Sequence, residues 1–328
     1  MVNRRKFLAS VGAAALAWPK AARTQAARKM SRIGVVVIGG TSDDMTGPLP
    51  RNRNVRQFLR GMAELGYVYG RDFVTEPRGI ESLATVAELV DLKCDLIVAT
   101  GGGATLTLLK QATRTIPVIM TAAPDPVAQG YVQSLARPGG NFTGMSLQSL
   151  ELTGKRLELL KELNPAAETI AVFWDTSVSE LWPTAQKEGQ AKGWKMVSVE
   201  IRDPSEIARG FKVAADAGAG ALLIPASVNL FSRAKEVAEL AAQSRIPAMY
   251  ELRPYVDAGG LASYGADIEE IWRHAATYVD KLLKGADPAE LPIEQPTKFE
   301  LAINARAAKS LGLTVPPSIL VRADQIIE

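Results

Sequence analysis

The sequence predicts an α/β protein made of two doubly wound parallel-sheet lobes joined by a three-crossing hinge. Three observations point there. After residue 30, short apolar runs of the kind that fill buried parallel strands alternate with helical stretches along the whole chain. The order of these runs occurs twice, and each half places an Ile-Pro pair at the start of a strand that follows a helix, TIPVIM at 115–120 and RIPAMY at 245–250. Three further strand-like stretches stand between and after the halves, where they serve as crossings.

In the first half, RIGVVVI (32–38) is a buried strand bounded by Gly39-Gly40. A helix over 55–65 follows and stops at Gly66, a C-cap. DFVTE (72–76) is a short strand, and a helix over 82–92 leads into the strand at 95–100. Gly101-Gly102-Gly103 breaks that strand, and a helix running to Thr113 leads to TIPVIM. The second half has the same plan. TIAVFW (169–174), KMVSVEI (195–201) and ALLIPAS (221–227) are strands, with helices over 182–191, 204–217 and 233–243 ahead of RIPAMY. Two β-α-β-α-β units of one rhythm argue for two similar lobes rather than one large sheet.

Between the halves, Pro138-Gly139-Gly140 makes a turn and NFTGMSL (141–147) crosses to the second lobe. GGLASYG (259–265) is a return crossing, followed by a helix over 267–284. PIEQPTKFELAIN (292–304) is a third crossing or strand, and a terminal helix over 305–311 ends at Gly312. The expected domains are residues 1–26 as a signal segment, 27–145 plus 266–290 as the first lobe, and 146–265 plus 291–328 as the second. Lobes on such a hinge can rotate toward each other.

The segment 1–26 carries its own signature. Arg4, Arg5 and Lys6 precede an apolar run from Phe7 to Trp18 that is too short for a bilayer span, which needs about 20 residues. A basic start, a short apolar stretch and then small residues form a secretory layout. Arg4-Arg5 followed by Phe7-Leu8 fits a twin-arginine signal; an ordinary secretory signal that happens to hold two arginines is the alternative. Cleavage after Ala26 fits the small residues there, and no cysteine near it offers a lipid anchor. The expected product is free in the periplasm and not membrane-embedded.

Loss of 1–26 removes five basic side chains and no acid, so the 38 basic residues become 33 against 35 acidic, a net charge of −2. The basic character of the chain belongs to its leader, and no concentrated basic face speaks for a nucleic-acid partner. Cys94, the only cysteine in the chain, excludes an intramolecular disulfide and is expected to be an inert buried thiol.

Several stretches, in order, carry a resemblance: the twin-arginine start, MAELGYVYGRDF, LARPGGNFTG, LTGKRLELLKE, DAGGLASYG, ATYVDKLLKGADPAELPIEQPTKFELAIN and the ending PPSILVRADQIIE. Together they resemble the ABC-transporter substrate-binding proteins of the tryptophan/tyrosine-type periplasmic component family, from about residue 30 to the end. The resemblance implies a type I periplasmic-binding-protein fold. It also implies a monomer that captures a small-molecule solute between its lobes and hands it to an ABC permease with its ATPase. A sensor feeding a membrane receptor would use the same fold.

In an open α/β sheet, ligands bind beyond the carboxyl ends of the strands. That rule selects Gly40 and Thr41, Thr100 through Gly103 (with Gly101 and Gly102) and Asp125 from the first lobe. From the second it selects Asp175, Ser177, Ser227, Asn229 and Tyr250, with Tyr264 on the return crossing. The three glycines let backbone approach a ligand, and the helix they open presents free N–H groups to a carboxylate; a plain tight turn is the alternative. Asp125, held between two prolines, either accepts a ligand ammonium or caps the next helix. Asp175, Ser177, Ser227 and Asn229 face the same choice. Tyr250, Tyr264, Trp182 and Phe231 are candidates for a flat wall against a ring, or for core. These features suit an amino acid, aromatic ones included, or a small carboxylate.

Catalytic chemistry has little footing. A Ser-His-Asp triad would have to use His274, the sole histidine, which lies on a predicted helix away from these loops. One His and one Cys give no metal-ligand spacing. GGTSDDMTG (39–47) is not a dinucleotide fingerprint, and the glycines at 101–103 lack the Lys-Ser/Thr of a phosphate loop. No enzyme activity, cofactor or metal is expected.

Overall fold

A computed structural model describes residues 30–38, 40–79 and 83–328. The expected signal segment and Gly39 lie outside the described residues.

The first lobe runs β1 (Ser31–Val37), α1 (Ser42–Met45), α2 (Arg53–Glu64), β2 (Phe73–Gly79), α3 (Leu83–Asp91), β3 (Leu96–Ala99), α4 (Gly103–Ala112), β4 (Val118–Ala123) and β5 (Phe142–Ser146). These strands form one sheet in the order β2-β1-β3-β4-β5, every pair parallel. The second lobe continues with α5 (Thr153–Leu163), β6 (Thr169–Trp174), α6 (Leu181–Ala191), β7 (Lys195–Glu200), α7 (Ile207–Asp216), β8 (Ala221–Ile224), α8 (Val228–Phe231), α9 (Ala234–Ser244), β9 (Ala248–Tyr250), α10 (Arg253–Asp257) and β10 (Ala262–Ala266). The chain then returns through α11 (Ile268–Leu283) and ends with β11 (Phe299–Asn304), α12 (Ala305–Ser310), α13 (Pro317–Arg322) and β12 (Gln325–Ile327). The second sheet has the order β12-β11-β10-β9-β8-β6-β7.

The repeated Ile-Pro has one structural job in both lobes. The Pro117 carbonyl accepts from the Ile97 N–H at 2.8 Å, and the Pro247 carbonyl accepts from the Leu222 N–H at 2.8 Å. Proline has no N–H to give a ladder, so it fits at the mouth of a central strand, where its carbonyl alone is used. The strands between are apolar on both faces because helices cover both: Leu96–Ala99 and Ala221–Ile224 are buried throughout.

Three departures from the sequence reading stand out. The second sheet is mixed, because β11 pairs antiparallel with β10, and β12 joins β11 in parallel. The short α13 and β12 were not anticipated; three exposed or half-exposed residues in QII give no apolar run to find. The third crossing also stays with the first lobe beyond 290. The Leu291 carbonyl accepts from Thr143 Oγ1 at 2.8 Å, and the Glu294 N–H donates to the Gly144 carbonyl at 2.9 Å, so this stretch is zipped to β5 through Glu294.

Helix α11 packs on α2 and β4, and so belongs to the first lobe. Its Asp267 side chain accepts from the Glu270 N–H at 3.1 Å as N-cap, and Trp272, Ala275, Ala276 and Val279 are fully buried on its inner face. At Gly61 a Cβ would stand 2.2 Å from the Arg273 carbonyl oxygen, so the two helices can cross this closely only at glycine. Cys94 is buried, and burial pushes its thiol up to about 11, which makes it a poor nucleophile near neutral pH.

Candidate functional site

The carboxyl ends of both sheets face each other, and the lobes touch there. Gly103 at the start of α4 abuts the second lobe: a Cβ on it would lie 3.0 Å from Ser177 Cβ and 3.1 Å from Val228 Cγ2. Gln129 Nε2 donates to the Ser177 carbonyl across the same gap. At the rim, Arg53 on α2 stands 3.4 Å from Asp257 on α10.

Beside this contact is a cavity of about 170 Å³. The first lobe contributes Pro124, Asp125, Ala128 and Gln129, and the first crossing contributes Ser149 and Leu150. The second lobe contributes the stretch Thr176–Leu181 together with Pro225 and Glu251. Three carboxylates, Asp125, Glu180 and Glu251, are in this lining, and no Lys, Arg or His is.

Local sequence explains the placement. Asp175 follows the last residue of β6, and its Oδ1 accepts from the Ser177 N–H at 2.8 Å and from Ser177 Oγ at 2.5 Å, turning the chain into a 3₁₀ turn over Thr176–Val178. Its Oδ2 accepts from the Asn229 N–H at 3.3 Å. Asp175 is therefore a buried clamp joining two loops, and the Ser177 it holds lines the cavity. Asn229 is turned away, with Nδ2 donating to the Ile201 carbonyl. Asp125 does cap the following turn, accepting from the Ala128 N–H at 2.9 Å, yet remains half-buried and lines the cavity. The capped segment is a turn rather than the expected helix.

The glycine loop is built for close approach. A Cβ on Gly101 would meet the Ala123 nitrogen at 2.8 Å, and Gly102 and Gly103 have φ of +143° and +51°, which favour glycine. Helix α4 has no side-chain N-cap bond, so its first N–H groups are left to other partners. Nearby hydroxyls are in the same state. Thr100 Oγ1, Thr105 Oγ1, Ser227 Oγ and the Gln129 amide oxygen are buried without a hydrogen-bond partner among the described residues. Unpaired buried polar atoms are rare in proteins; of these four residues only Gln129 lines the cavity, and Thr100, Thr105, Ser227 and the three glycines do not.

Other expected positions fall elsewhere. Gly40 packs near Asn52 and Met45, and exposed Thr41 caps α1 through Asp44; neither lines the cavity. Tyr250 is fully buried and stacked on Tyr255 with ring centroids 4.8 Å apart. Tyr264 leans on Phe299, Phe231 meets Tyr255 edge-on, and Trp182 flanks the core beneath α5 and α6. No aromatic ring is in the cavity lining. Of the cleft loop Tyr250–Glu251, sequence reasoning chose Tyr250 as the ligand residue, whereas Glu251, 1% exposed, is the one in the cavity lining. A charged residue directly after an apolar strand was the available signal.

Two α/β lobes closing on a polar cavity, with hinge crossings between them, define a two-lobe solute-binding protein. The family is shown directly: residues 51–327 match the model of the ABC transporter substrate binding proteins, and the chain belongs to that family. It is 29% identical over 268 residues to the tyrosine-binding protein of Clostridioides difficile (strain R20291), covering 78% of this chain and 75% of that one. A solved structure of an ABC domain in complex with L-Trp, from Streptococcus pneumonia, is 27% identical with a TM-score of 0.78; the match covers 91% of this chain and 100% of that chain. A conserved domain protein from Vibrio cholerae matches over the same shares at 25% identity with a TM-score of 0.81.

Proposed function

We propose that the protein captures an α-amino acid in the cavity between its lobes by closing over it, outside the cytoplasmic membrane, and delivers it to an ABC permease and its ATPase. The observation that carries this reading is the lining itself, in which Asp125, Glu180 and Glu251 stand with no cationic residue; Glu251 is paired behind the wall with Arg156, so Asp125 and Glu180 supply the unbalanced charge. An ammonium group is welcome there; a solute that is only an anion is not. A ligand carboxylate has a separate place at the uncapped start of α4 and the unpaired hydroxyls around it. Pro124, Pro225, Leu150, Val178 and Leu181 offer apolar surface for a side chain. The tyrosine and L-Trp named for two relatives favour an aromatic one.

A solute promotes closure only through contacts it makes better in the closed form. Shifting closure from 1:99 to 99:1 takes about 5.5 kcal/mol, which a few charge-assisted hydrogen bonds at roughly 1.5–3 kcal/mol each supply. The basic start of residues 1–26 supports export to the periplasm, which N-terminal sequencing of the fractionated protein would check.

A thermal-shift screen tests the ligand class, since stabilisation grows as RT ln(1 + [L]/Kd), about 2.7 kcal/mol at a hundred times Kd. Amino acids, L-tyrosine and L-tryptophan foremost, are expected to raise Tm, and their deaminated acids are not. Equal stabilisation by acids that lack the ammonium would overturn the charge argument.

A further inference from the structure

One buried guanidinium links the cavity wall to the hinge. Arg156 on α5 is 2% exposed. Its Nη1 donates to the Ser149 carbonyl at 2.7 Å, in the first crossing, and its Nε donates to the Tyr264 carbonyl at 2.7 Å, in β10 just ahead of the second crossing. Its Nη2 faces Glu251 Oε1 at 3.2 Å. Glu251 is a cavity wall residue, and its own oxygens accept from Ser149 Oγ and, at 2.8 Å, from the Ala226 N–H beside Pro225. Gly265, next to Tyr264, is packed so tightly here that a Cβ would stand 2.1 Å from the Glu251 carbonyl oxygen. The first crossing and the end of β10 therefore meet on one planar fork, with Glu251 after β9 beside it and tied in turn to the loop after β8.

Stability alone does not account for such a pair. Desolvating two charges cancels most of their attraction, and burial pulls the Arg156 guanidinium below its ordinary value while Glu251 opposes the shift. What the fork supplies is direction: rigid donors aimed at acceptors on separate segments, which a flexible ammonium cannot reproduce.

We propose that Arg156 is a positioning residue that fixes the first crossing and the strand leading into the second against the cavity-wall residue Glu251, and so sets the angle to which the lobes close. The inference rests on the cavity being the ligand site, but its main test needs no ligand. Spin labels at Arg114→Cys in the first lobe and Lys187→Cys in the second, both exposed, report interlobe distance by pulsed electron spin resonance in a Cys94→Ala background. Arg156→Lys keeps the charge and removes the fork. In the folded, ligand-free protein it is expected to widen the distance distribution about twofold, and to weaken L-tyrosine or L-tryptophan binding about thirtyfold, because lysine cannot hold both carbonyls while its charge faces Glu251.

A folded Arg156→Lys protein with the unaltered width and affinity would show that charge neutralisation is all that Arg156 provides, and would overturn the proposal. Should that variant fail to fold, Glu251→Gln decides, since it keeps the shape and removes the attraction: a broadened distribution supports the link and an unchanged one ends it. If the unaltered protein binds no amino acid, the functional reading fails by itself, and the ligand-free distances still judge Arg156.

Discussion

On the first lobe's side of the cleft, Thr100 Oγ1, Thr105 Oγ1 and the Gln129 amide oxygen have no hydrogen-bond partner among the described residues; on the second lobe's side, Asp175 and Glu251 have both carboxylate oxygens engaged. The first wall is bare backbone and spare hydroxyls behind three glycines. The second holds the locked acids Asp175 and Glu251 beside one unpaired loop hydroxyl, Ser227 Oγ. A group already locked costs little to organise when a solute arrives, whereas an unpaired buried group gains a partner only when the solute is present. On the proposed reading, the second lobe supplies a preformed shape and the first supplies the contacts that reward closure.

The largest effect is expected where the two walls touch. Gly103→Val would put side-chain atoms into the 3.0 Å approach to Ser177 and force a β-branched residue to φ +51°. The first lobe should still fold, yet closure should be blocked, with affinity falling more than about a hundredfold, or about 2.7 kcal/mol. Calorimetry with the best amino acid from the thermal screen, beside solution scattering, checks both parts. Unchanged affinity would remove the glycine loop from the site and erase the contrast between the walls.

The next effect separates stability from binding. Asp175→Ala strands the Ser177 N–H and hydroxyl and the Asn229 N–H in a buried place. Stability should drop by about 2–4 kcal/mol, the cost of leaving buried donors unpaired. Asp125→Ala on the facing wall should lower stability by only about 0.5–1 kcal/mol through its lost cap, while affinity for a zwitterion falls about tenfold. Urea unfolding and calorimetry on the two variants measure the pair. If Asp125→Ala costs stability and spares affinity, it is a cap and nothing more.

This same contrast governs what the sequence could reveal. Strands such as LIVA and ALLI are apolar on both faces because helices cover both, and the repeated Ile-Pro marks equivalent strand starts, so the two-lobe plan was legible. The rule that sites lie beyond strand ends selected loops from which Asp125 and Ser177 line the cavity, while Gly40, Thr41 and the glycines at 101–103 do not. What the rule cannot resolve is which residue of a loop turns inward. Tyr250 and Glu251 are adjacent, and successive side chains at a strand end point opposite ways; the tyrosine went to the core and the acid to the cavity. Arg156 was hidden for another reason. It stands in LTGKRLELLKE among charges that are mostly solvated, and only the tertiary meeting of two crossings buries it.

The smallest effect belongs to the rim, and it sharpens the comparison by showing what closure does not depend on. Arg53 reaches across to Asp257 at 3.4 Å and to Glu269 on its own lobe at 3.6 Å, with its side chain 65% exposed. Exposed ion pairs contribute about 0–1 kcal/mol, and here part of the attraction lies within one lobe and is the same open or closed. Arg53→Ala should therefore weaken binding by no more than about threefold at low salt, and the difference should vanish near 1 M salt, where the screening length is about 3 Å. Calorimetry at two ionic strengths decides it. A tenfold loss that survives high salt would mean that the rim, rather than the unpaired groups of the first wall, holds the lobes together.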